Sequence, residues 1–332
     1  MAAHPVAELY ASIDLGGTKI ACAFGTAAGD IVAERTTPTQ SHEGPDAVLA
    51  RIAGLVDALV GDVGQRPAAV GMGVPGLADV QRGVVKFLPN LPTNWREVPV
   101  RDTLAPRLGC PVYLLNDARM ATLGELAFGL GRDLPGVTMA FFTLGTGIGG
   151  GVAVEGTLRL GPLGAAGELG HQTILPDGPL CGCGNRGCLE TLASGPALIA
   201  QGVWLLHAGR APRLYDLVQG DVSRITPREM AQAAEAGDDA VRDVLTRAAE
   251  YLGIGVANVV VTLHPALVVL GGSVAQIGPL LFDTVHATVQ RRVGMFPPDD
   301  VRIEPSRLGN QAGLLGGIAL AMHRGEQAED RK

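Results

Sequence analysis

The chain has 332 residues, of which 47% are hydrophobic and 18% are charged, and its formal net charge is −7. This composition is typical of one large or two smaller packed domains, and it excludes a disordered chain. An acidic chain without a run of Lys and Arg argues against general nucleic-acid binding. The N-terminus does not resemble a signal peptide, and the apolar stretch at residues 251–263 is too short to span a bilayer, so we expect a cytoplasmic protein without a membrane partner.

Apolar runs and glycine-rich breaks predict strands and helices that alternate along the chain. Strands are expected at residues 9–13, 20–24, 31–34, 68–74, 111–115, 137–144, 149–154, 267–270 and 301–304. Helices are expected at residues 45–60, 98–108, 116–128, 277–293 and 312–323, and over much of 194–263. This alternation predicts an α/β fold, and the partial recurrence of the order suggests two lobes with a central cleft.

The motif Asp14-Leu-Gly-Gly-Thr-Lys19 joins the first two predicted strands. Gly16 and Gly17 would let backbone amides approach phosphate oxygens, and Thr18 adds a hydroxyl donor. The carboxylate of Asp14 suits a hydrated magnesium ion. The same residues also suit an ordinary Gly-Gly hairpin turn, and the motif alone does not separate these two interpretations.

A second glycine-rich segment carries the spacing G-x-G-x-x-G at Gly145, Gly147 and Gly150. In a dinucleotide-binding fold this fingerprint opens a helix. Residues 152–154 instead have the pattern of a strand, so the fingerprint does not predict a dinucleotide site here.

A strand–turn–strand with Thr143 and Thr146 fits a loop that clasps the outer phosphates of a nucleotide, although a hairpin without a ligand would look alike. Gly271 and Gly272 follow a later strand and precede a helix. Nucleotides commonly bind at such a place, but glycines also commonly join strands to helices.

Asp117 follows a predicted strand and lies at the start of a helix, next to Asn116. Both residues suit a helix N-terminus, and for each one alone that role is the simplest interpretation. The functional alternative is that Asp117 accepts a proton from a sugar hydroxyl as that oxygen attacks a phosphoryl group.

The most specific feature is a cluster of three cysteines within eight residues, preceded by a histidine. Its members are His171, Cys181, Cys183 and Cys188. Three thiolates and one imidazole make a closed tetrahedral zinc site of the structural kind. The alternative is three small buried thiols without a metal. In a chain with only five cysteines, three would rarely fall so close together by chance.

Glu168 and Glu190 flank this cluster, where each could accept hydrogen bonds from sugar hydroxyls or simply be a solvated surface charge. Zinc would orient His171 and leave its second ring nitrogen available for a ligand. Cys22 and Cys110 are isolated and are interpreted as core residues.

Six motifs appear in the order found in one family. They are Asp14-Leu-Gly-Gly-Thr-Lys19, Gly73-Val-Pro-Gly76, Leu115-Asn-Asp-Ala118, Leu144-Gly-Thr-Gly-Ile-Gly-Gly150, Gly167-Glu-Leu-Gly-His171 and Cys181-Gly-Cys-Gly-Asn-Arg-Gly-Cys-Leu-Glu190. The chain resembles the ROK family (repressors, open reading frames and kinases), most closely its bacterial glucokinases, over about residues 13–317. The cysteine signature is highly specific to this family, whereas the glycine loops are shared by the actin-like ATPase superfamily.

The resemblance implies a two-lobed, actin-like ATPase (ribonuclease H-like) fold that binds sugar and ATP with Mg²⁺ between the lobes. It implies that Asp117 is the base acting on the sugar 6-hydroxyl. The implied sugar contacts are Gly76, Asn90, Asn116, Asp117, Glu168, His171 and Glu190. The implied ATP and phosphate contacts are Asp14, Gly16, Gly17, Thr18, Lys19, Thr143, Gly145, Thr146, Gly147, Gly271 and Gly272. Structural zinc would be bound by His171, Cys181, Cys183 and Cys188.

We expect the lobe boundary between residues 116 and 117. Residues 1–116 would form a small α/β lobe, on which the C-terminal helix at about 312–323 could pack, and residues 117–332 a larger α/β lobe with the zinc site. Family members are commonly dimers or tetramers, which implies a homodimer or homotetramer.

The main functional prediction is ATP-dependent phosphorylation of a hexose, above all glucose, at the 6-hydroxyl. A kinase for N-acetylmannosamine, N-acetylglucosamine, mannose or fructose is an alternative, because pocket shape is not readable from the sequence. A non-catalytic sugar sensor is a further alternative, although a first strand near Leu9 leaves no room for the DNA-binding domain that precedes it in the family's repressors. Polyphosphate stays open as a donor beside ATP.

Overall fold

The chain divides into two compact units, as seen in a computed structural model that describes residues 8–88, 91–93 and 95–326. The first unit runs to Gly136, and it also contains Val152–Gly167 and the chain from Arg307 onward. The second unit contains Val137–Gly151 and Glu168–Ser306. The lobe boundary predicted from the sequence lies between residues 116 and 117. In the structure, the first segment of the first unit ends 20 residues later, at Gly136.

The described part of the chain contains thirteen strands and ten α-helices. The strands are β1 (Leu9–Leu15), β2 (Lys19–Thr26), β3 (Ile31–Pro38), β4 (Val70–Val74), β5 (Leu77–Asp79), β6 (Val84–Phe87), β7 (Arg96–Val98), β8 (Val112–Asn116), β9 (Met139–Leu144), β10 (Ile148–Val154), β11 (Thr157–Leu158), β12 (Leu267–Gly271) and β13 (Arg302–Pro305). The helices are α1 (Pro45–Val63), α2 (Val100–Leu108), α3 (Asp117–Ala127), α4 (Leu189–Ala193), α5 (Gly195–His207), α6 (Pro212–Val218), α7 (Pro227–Glu235), α8 (Asp239–Leu263), α9 (Pro279–Arg292) and α10 (Ala312–Met322).

The main sheet of the first unit has the strand order β3-β2-β1-β4-β8. Strands β1, β2 and β3 pair antiparallel, whereas β1, β4 and β8 run parallel. In this register Asp14 lies opposite Gly73, and Val74 lies opposite Asn116. The carboxyl ends of three parallel strands therefore meet at one edge, where open α/β sheets bind their ligands.

Helix α10 packs on β1, β4 and α3, so both α3 and the C-terminal helix belong to the first unit. Two glycines permit this close approach. A Cβ atom on Gly316 would lie 1.7 Å from the carbonyl oxygen of Met120, and one on Gly317 would lie 2.0 Å from Ser12 Oγ. The contact between α3 and α10 joins residues almost 200 positions apart, and it is the physical reason why the first unit extends beyond residue 116.

The second five-stranded sheet has the order β11-β10-β9-β12-β13, and β9, β12 and β13 belong to the second unit. Strands β9, β12 and β13 run parallel. Thr143 lies opposite Gly271, so the carboxyl ends of β9 and β12 also meet at one edge. This edge is therefore a second candidate for ligand binding.

Helix α8 has 25 residues and packs against α4, α5, α7 and α9 of the second unit. Among the described residues it is the one helix long and apolar enough to cross a membrane, and 56% of its most apolar window is buried inside the protein. Such burial is typical of a core helix in a globular protein.

Most predicted strands and helices are confirmed within a few residues, but the structure adds a small sheet. Strands β5, β6 and β7 form it by antiparallel pairing. Each has only three or four residues, which is too short for a clear alternation of polar and apolar side chains. By contrast, residues 172–188 contain no helix or strand, only two isolated β-bridges.

Candidate functional site

The first glycine motif forms the tight turn between β1 and β2. Gly16 N donates a hydrogen bond to Lys19 O over 3.0 Å. The buried Thr39 holds this turn at two points, because its hydroxyl donates to Gly16 O (2.7 Å) and its backbone N–H donates to Thr18 O (2.8 Å). Thr39 was not identified from the sequence, since nothing there links it to a turn more than 20 residues earlier.

Asp14 is the partly buried penultimate residue of β1, and the buried Leu15 separates it from this turn. Burial raises the pKa of the Asp14 carboxyl, and the nearby charge of Lys19 partly offsets the effect. The first turn of α10 lies close by, since a Cβ atom on Gly313 would be 3.6 Å from Asp14 Oδ2. A cation next to this carboxyl would favour its ionised form.

Asn116 and Asp117 lie at the junction of β8 and α3. Asn116 is the N-cap of the helix, and its Oδ1 accepts hydrogen bonds from Ala118 N (3.0 Å) and Arg119 N (3.3 Å). Asp117 is the first helical residue, and its Oδ1 accepts from Ala118 N over 2.8 Å. The capping role expected from the sequence is therefore confirmed for Asn116, and it fixes the backbone that carries Asp117.

Gly76 lies two residues beyond β4, and its carbonyl oxygen accepts a hydrogen bond of 3.2 Å from Asn116 Nδ2. A Cβ atom at this position would lie 2.4 Å from the carbonyl oxygen of Phe87, so only glycine fits. The structure thus brings Gly76 to Asn116. Asn90, another sugar contact implied by the family resemblance, lies outside the described residues.

The second glycine motif forms a three-residue turn, Gly145–Gly147, between β9 and β10. Gly145 N donates to Gly147 O (2.9 Å), and Gly195 N at the start of α5 donates to Gly145 O (2.9 Å). A strand follows the turn, as expected, which excludes the dinucleotide fingerprint. Thr143 is half-buried at the end of β9, and Thr146 is exposed at the turn.

Gly271 and Gly272 lie at the end of β12, beside this turn. Gly272 has a φ of +90°, and a Cβ atom there would lie 2.4 Å from Leu144 O. A 3₁₀ helix, Val274–Ile277, follows before α9 begins. The motif therefore places backbone close to the turn of the second unit, without room for a side chain.

Glu190 in α4 connects that turn to the cysteine cluster. Its Oε2 accepts a hydrogen bond of 2.9 Å from Ile148 N, and its Oε1 lies 3.9 Å from Cys181 Sγ. A Cβ atom on Gly147 would lie 2.4 Å from Glu190 Oε2. Glu190 is thus a fixed carboxylate rather than a solvated surface charge.

The predicted metal-binding residues come together in space. The ligand atoms of His171, Cys181, Cys183 and Cys188 all lie within 4.8 Å of one another. His171 Nδ1 is 3.6 Å from Cys181 Sγ, and Cys183 Sγ is 3.7 Å from Cys188 Sγ. Zn–S bonds of about 2.3 Å and Zn–N bonds of about 2.0 Å in a tetrahedron would separate neighbouring ligand atoms by about 3.5–3.8 Å.

The thiols also have the chemistry of a cation site. Burial raises the pKa of Cys188 to about 12 and also raises the pKa of Cys181. The backbone N–H of Asn185 lowers the pKa of Cys183. Burial thus opposes ionisation of two of the three thiols, and a bound cation would favour the thiolate form of all three.

The other ring nitrogen of His171 lies near Glu168. Its Nε2 lies 3.9 Å from Glu168 Oε2, so a ligand that approaches Glu168 would also meet this ring nitrogen. Glu168 itself is exposed. Of the remaining cysteines, Cys22 lies in the core of the first unit and Cys110 packs against that core, as predicted.

The candidate residues form one group in each unit. In the first unit, the group at the carboxyl edge of the sheet consists of Asp14, Gly76, Asn116 and Asp117. In the second unit, the group around the glycine turn and the cysteine cluster consists of Thr143, Gly145, Gly147, Glu168, His171, Glu190, Gly271 and Gly272.

Known proteins resemble this chain over nearly its whole length. The model of the ROK family matches residues 10–324. A glucokinase from Streptomyces coelicolor is 35% identical, with 94% of this chain and 97% of the relative covered. A xylose repressor from Caldicellulosiruptor bescii is 32% identical, with 93% of this chain and 77% of the repressor covered.

Solved structures show the same relationship. A ROK family glucokinase from Streptomyces griseus, in complex with glucose and AMPPNP, is 34% identical and superposes with a TM-score of 0.82. The superposition covers 95% of this chain and 99% of that structure. ROK glucokinases have the two-lobed, actin-like ATPase fold, which confirms the fold class expected from the sequence. On the match to the family model and the extent of these similarities, the chain belongs to the ROK family.

Proposed function

We propose that this chain is an ATP-dependent hexose kinase that phosphorylates the 6-hydroxyl of glucose. The observation that carries the proposal is the position of Asp117, a carboxylate at the carboxyl end of β8, in the first turn of α3. Open α/β sheets bind their ligands at this edge. The glucose assignment is supported by the similarity to a ROK glucokinase that was solved with glucose and AMPPNP.

In this mechanism Asp117 is the general base. It would take the proton of the 6-hydroxyl while that oxygen forms a bond to the γ-phosphorus and the bond from the γ-phosphorus to ADP breaks. The hydrogen bond from Ala118 N holds one carboxylate oxygen of Asp117, and the capped helix holds its backbone. A base fixed in this way needs little reorganisation when the proton moves.

The residues proposed to contact the sugar hydroxyls are those implied by the family resemblance. The contacts proposed in the first unit are Gly76, Asn90 and Asn116. The contacts proposed in the second unit are Glu168, His171 and Glu190. Carboxylates are suited to this task because each can accept hydrogen bonds from two neighbouring hydroxyls.

The two glycine turns are the proposed binding elements for the phosphates of ATP. Their backbone amides, together with the hydroxyls of Thr18 and Thr146, are suitable donors to phosphate oxygens. Asp14 would hold hydrated Mg²⁺, which neutralises charge on the transferred group. Gly271 and Gly272 would let the adenosine approach the end of β12, because no side chain intervenes.

The cluster of His171, Cys181, Cys183 and Cys188 fits Zn²⁺ in its number, type and spacing of ligands. Zinc would brace residues 172–188, which have no helix or strand of their own. It would also fix the ring of His171, so that Nε2 stays directed towards Glu168. In this proposal zinc has a structural role, and the chain's own residues bind the sugar.

The proposal is tested by a coupled assay for ADP release with ATP and Mg²⁺ across glucose, mannose, fructose, N-acetylglucosamine and N-acetylmannosamine. We expect strong activity with glucose and weak activity with the N-acetylated sugars. Activity chiefly with an N-acetylated sugar would replace the substrate but keep the mechanism. No ADP release with any sugar would contradict the kinase proposal.

A sugar-sensing regulator is the second candidate, and the similarity to a xylose repressor over 93% of this chain favours it. A sensor needs sugar contacts but no functional phosphate turns. Isothermal titration calorimetry distinguishes the two candidates. A kinase should bind both a hexose and an ATP analogue, whereas a sensor should bind the sugar alone.

A further inference from the structure

Arg119 is a buried arginine in the first turn of α3, and its side chain is bonded to two separate parts of the first unit. The residue is only 1% exposed. Its Nε donates to Ala166 O (2.9 Å) and its Nη2 donates to Ala165 O (2.9 Å). Its Nη1 donates to Asn116 Oδ1 over 3.0 Å. One planar guanidinium therefore fixes both a side chain at the end of β8 and a backbone segment about 47 residues further along the chain.

The contact with Asn116 helps to fix the orientation of that amide. A guanidinium has only donors, so the Asn116 atom that faces it must be the carbonyl oxygen. The amide nitrogen then points the other way, where it donates to Gly76 O over 3.2 Å. Nδ2 has a second N–H, which suits an oxygen of a sugar hydroxyl. The guanidinium therefore reinforces the two backbone N–H groups of the N-cap, Ala118 N and Arg119 N, which also hold Oδ1 on this side and leave Nδ2 for a ligand.

The contacts with Ala165 and Ala166 anchor a segment that is rich in glycines with positive φ angles. Gly161, Gly164 and Gly167 adopt positive φ angles of 65°, 70° and 86°. Glycine in such conformations is permissive, so the backbone needs anchors from elsewhere in the fold. Arg119 supplies two anchors, at Ala165 and Ala166, and only Gly167 separates the second of them from Glu168.

We propose that Arg119 is a positioning residue for sugar binding, which rests on the proposed kinase function. It orients Asn116 and places the backbone that leads into Glu168, and it does so without touching the sugar itself. A lysine cannot replace it, because an ammonium group is a point donor and cannot reach three acceptors with the geometry of a planar fork.

Arg101 offers a matched control in the same unit. Its Nε, Nη1 and Nη2 donate to the carbonyl oxygens of Val112 (3.1 Å), Gln81 (2.6 Å) and Val80 (2.8 Å). Like Arg119, Arg101 therefore donates hydrogen bonds to three oxygen atoms, but it contacts no candidate site residue. The substitutions Arg119→Lys and Arg101→Lys make the same chemical change at the two positions.

The experiment measures the glucose Kd by calorimetry and the KM values for glucose and ATP, with folding checked by circular dichroism. For Arg119→Lys we expect the Kd and KM for glucose to rise about tenfold or more, with the KM for ATP within about twofold of the wild type. For Arg101→Lys we expect a lower melting temperature but an unchanged glucose Kd. Equal weakening by both substitutions, or an unchanged glucose Kd in Arg119→Lys, would overturn the proposal.

Arg119→Met is the second variant, because it keeps the length of the side chain and leaves no buried charge without partners. It should weaken glucose binding at least as much as Arg119→Lys, and wild-type affinity in this variant would also overturn the proposal. The test separates the two proposals. A wild-type protein without hexose kinase activity contradicts the proposed function, whereas an active wild type with unaffected Arg119 variants contradicts this inference alone.

Discussion

The two units hold their candidate residues in different ways. In the first unit, Asn116 and Asp117 lie between a buried parallel strand and a capped helix, so regular hydrogen bonding determines their positions. In the second unit, Glu168 and Glu190 flank residues 172–188, which contain no helix or strand and carry three cysteines. The first arrangement is built from the backbone, and the second depends on side chains around a proposed metal ion.

This difference shows where each group is vulnerable. A strand and a helix that are packed in a core keep their geometry when a surface group is changed. A segment without regular structure has few backbone hydrogen bonds to preserve its shape, so the loss of its ligand should open it locally. We therefore expect changes in the first unit to affect chemistry more than structure, and changes at the cysteine cluster to affect structure first.

The largest effect is expected for Asp117→Ala. Removal of a general base should lower kcat by about 100- to 10,000-fold, while the glucose Kd changes little because most sugar contacts remain. The control is Asp102→Ala, which removes a carboxylate from the first turn of α2 in the same unit. Near-normal turnover in Asp117→Ala, or an equal loss in Asp102→Ala, would disprove the assignment of the base.

Removal of zinc should have the next largest effect. The structural change should be confined to the second unit. We expect about one zinc per purified chain by metal analysis. Chelation, or the substitution Cys188→Ser, should speed amide hydrogen exchange in residues 172–188 by about tenfold or more and weaken glucose binding.

Exchange in α3 serves as the internal reference for zinc removal, because the first unit does not contain the cluster. It should stay within about twofold of the untreated protein. A protein without zinc, but with three thiols that react in the folded state, would contradict the metal assignment. So would equal loosening of α3 and residues 172–188.

A smaller effect is expected for Gly147→Ala in the glycine turn of the second unit. The new Cβ atom would displace the Glu190 carboxylate, which would then lose its hydrogen bond from Ile148 N. We expect the KM values for both ATP and glucose to rise by about tenfold. Glu190 holds the turn that is proposed to bind phosphate, and it is also a proposed sugar contact. Gly294→Ala is the control, because a Cβ atom there meets nothing within 4 Å. Unchanged kinetics in Gly147→Ala would show that Glu190 does not couple the turn to the sugar contacts.

The smallest change in stability is expected for Asp14→Asn. Burial raises the pKa of Asp14 above its usual value of 3.8, so the folded state binds this proton more tightly than the unfolded state. Stability is then lost as the pH rises through the folded-state pKa, and at pH 7 the buried charge is destabilising. Asp14→Asn should therefore raise the melting temperature of the ligand-free protein at pH 7, and the gain should shrink as the pH approaches 4.

The same variant should lose Mg²⁺-dependent turnover, which links the cost of the buried carboxylate to its proposed role. Lower stability of Asp14→Asn at pH 7 would contradict the burial argument. Full activity in this variant would contradict the proposed contact with magnesium.

The fold was largely predictable because its elements have strong local signals. The central strands of the two main sheets, such as β4, β9 and β12, are short apolar runs with glycines within or next to them, and α8 has clear helical spacing. The return of α10 to the first unit determines the boundary between the units, but its contact with α3 joins distant parts of the chain. A single sequence does not show such a contact, which is why the predicted boundary falls 20 residues before the one found in the structure.

The candidate site was predictable where residue type and spacing are unusual, as in the cysteine cluster. The residues that support it were not. Arg119 lies in a helix, where a charged residue normally faces solvent, and Thr39 has no distinctive neighbours. Their roles follow from burial and from acceptors elsewhere in the fold, namely the carbonyls of Ala166 and Gly16.

The most direct test of the central claim is ³¹P and ¹³C NMR of the product formed from ATP, Mg²⁺ and glucose by the wild-type protein. The account predicts a phosphate ester on the 6-oxygen of glucose, with ADP formed in equal amount. Free inorganic phosphate without a sugar phosphate, or a phosphate on a different oxygen, would contradict it.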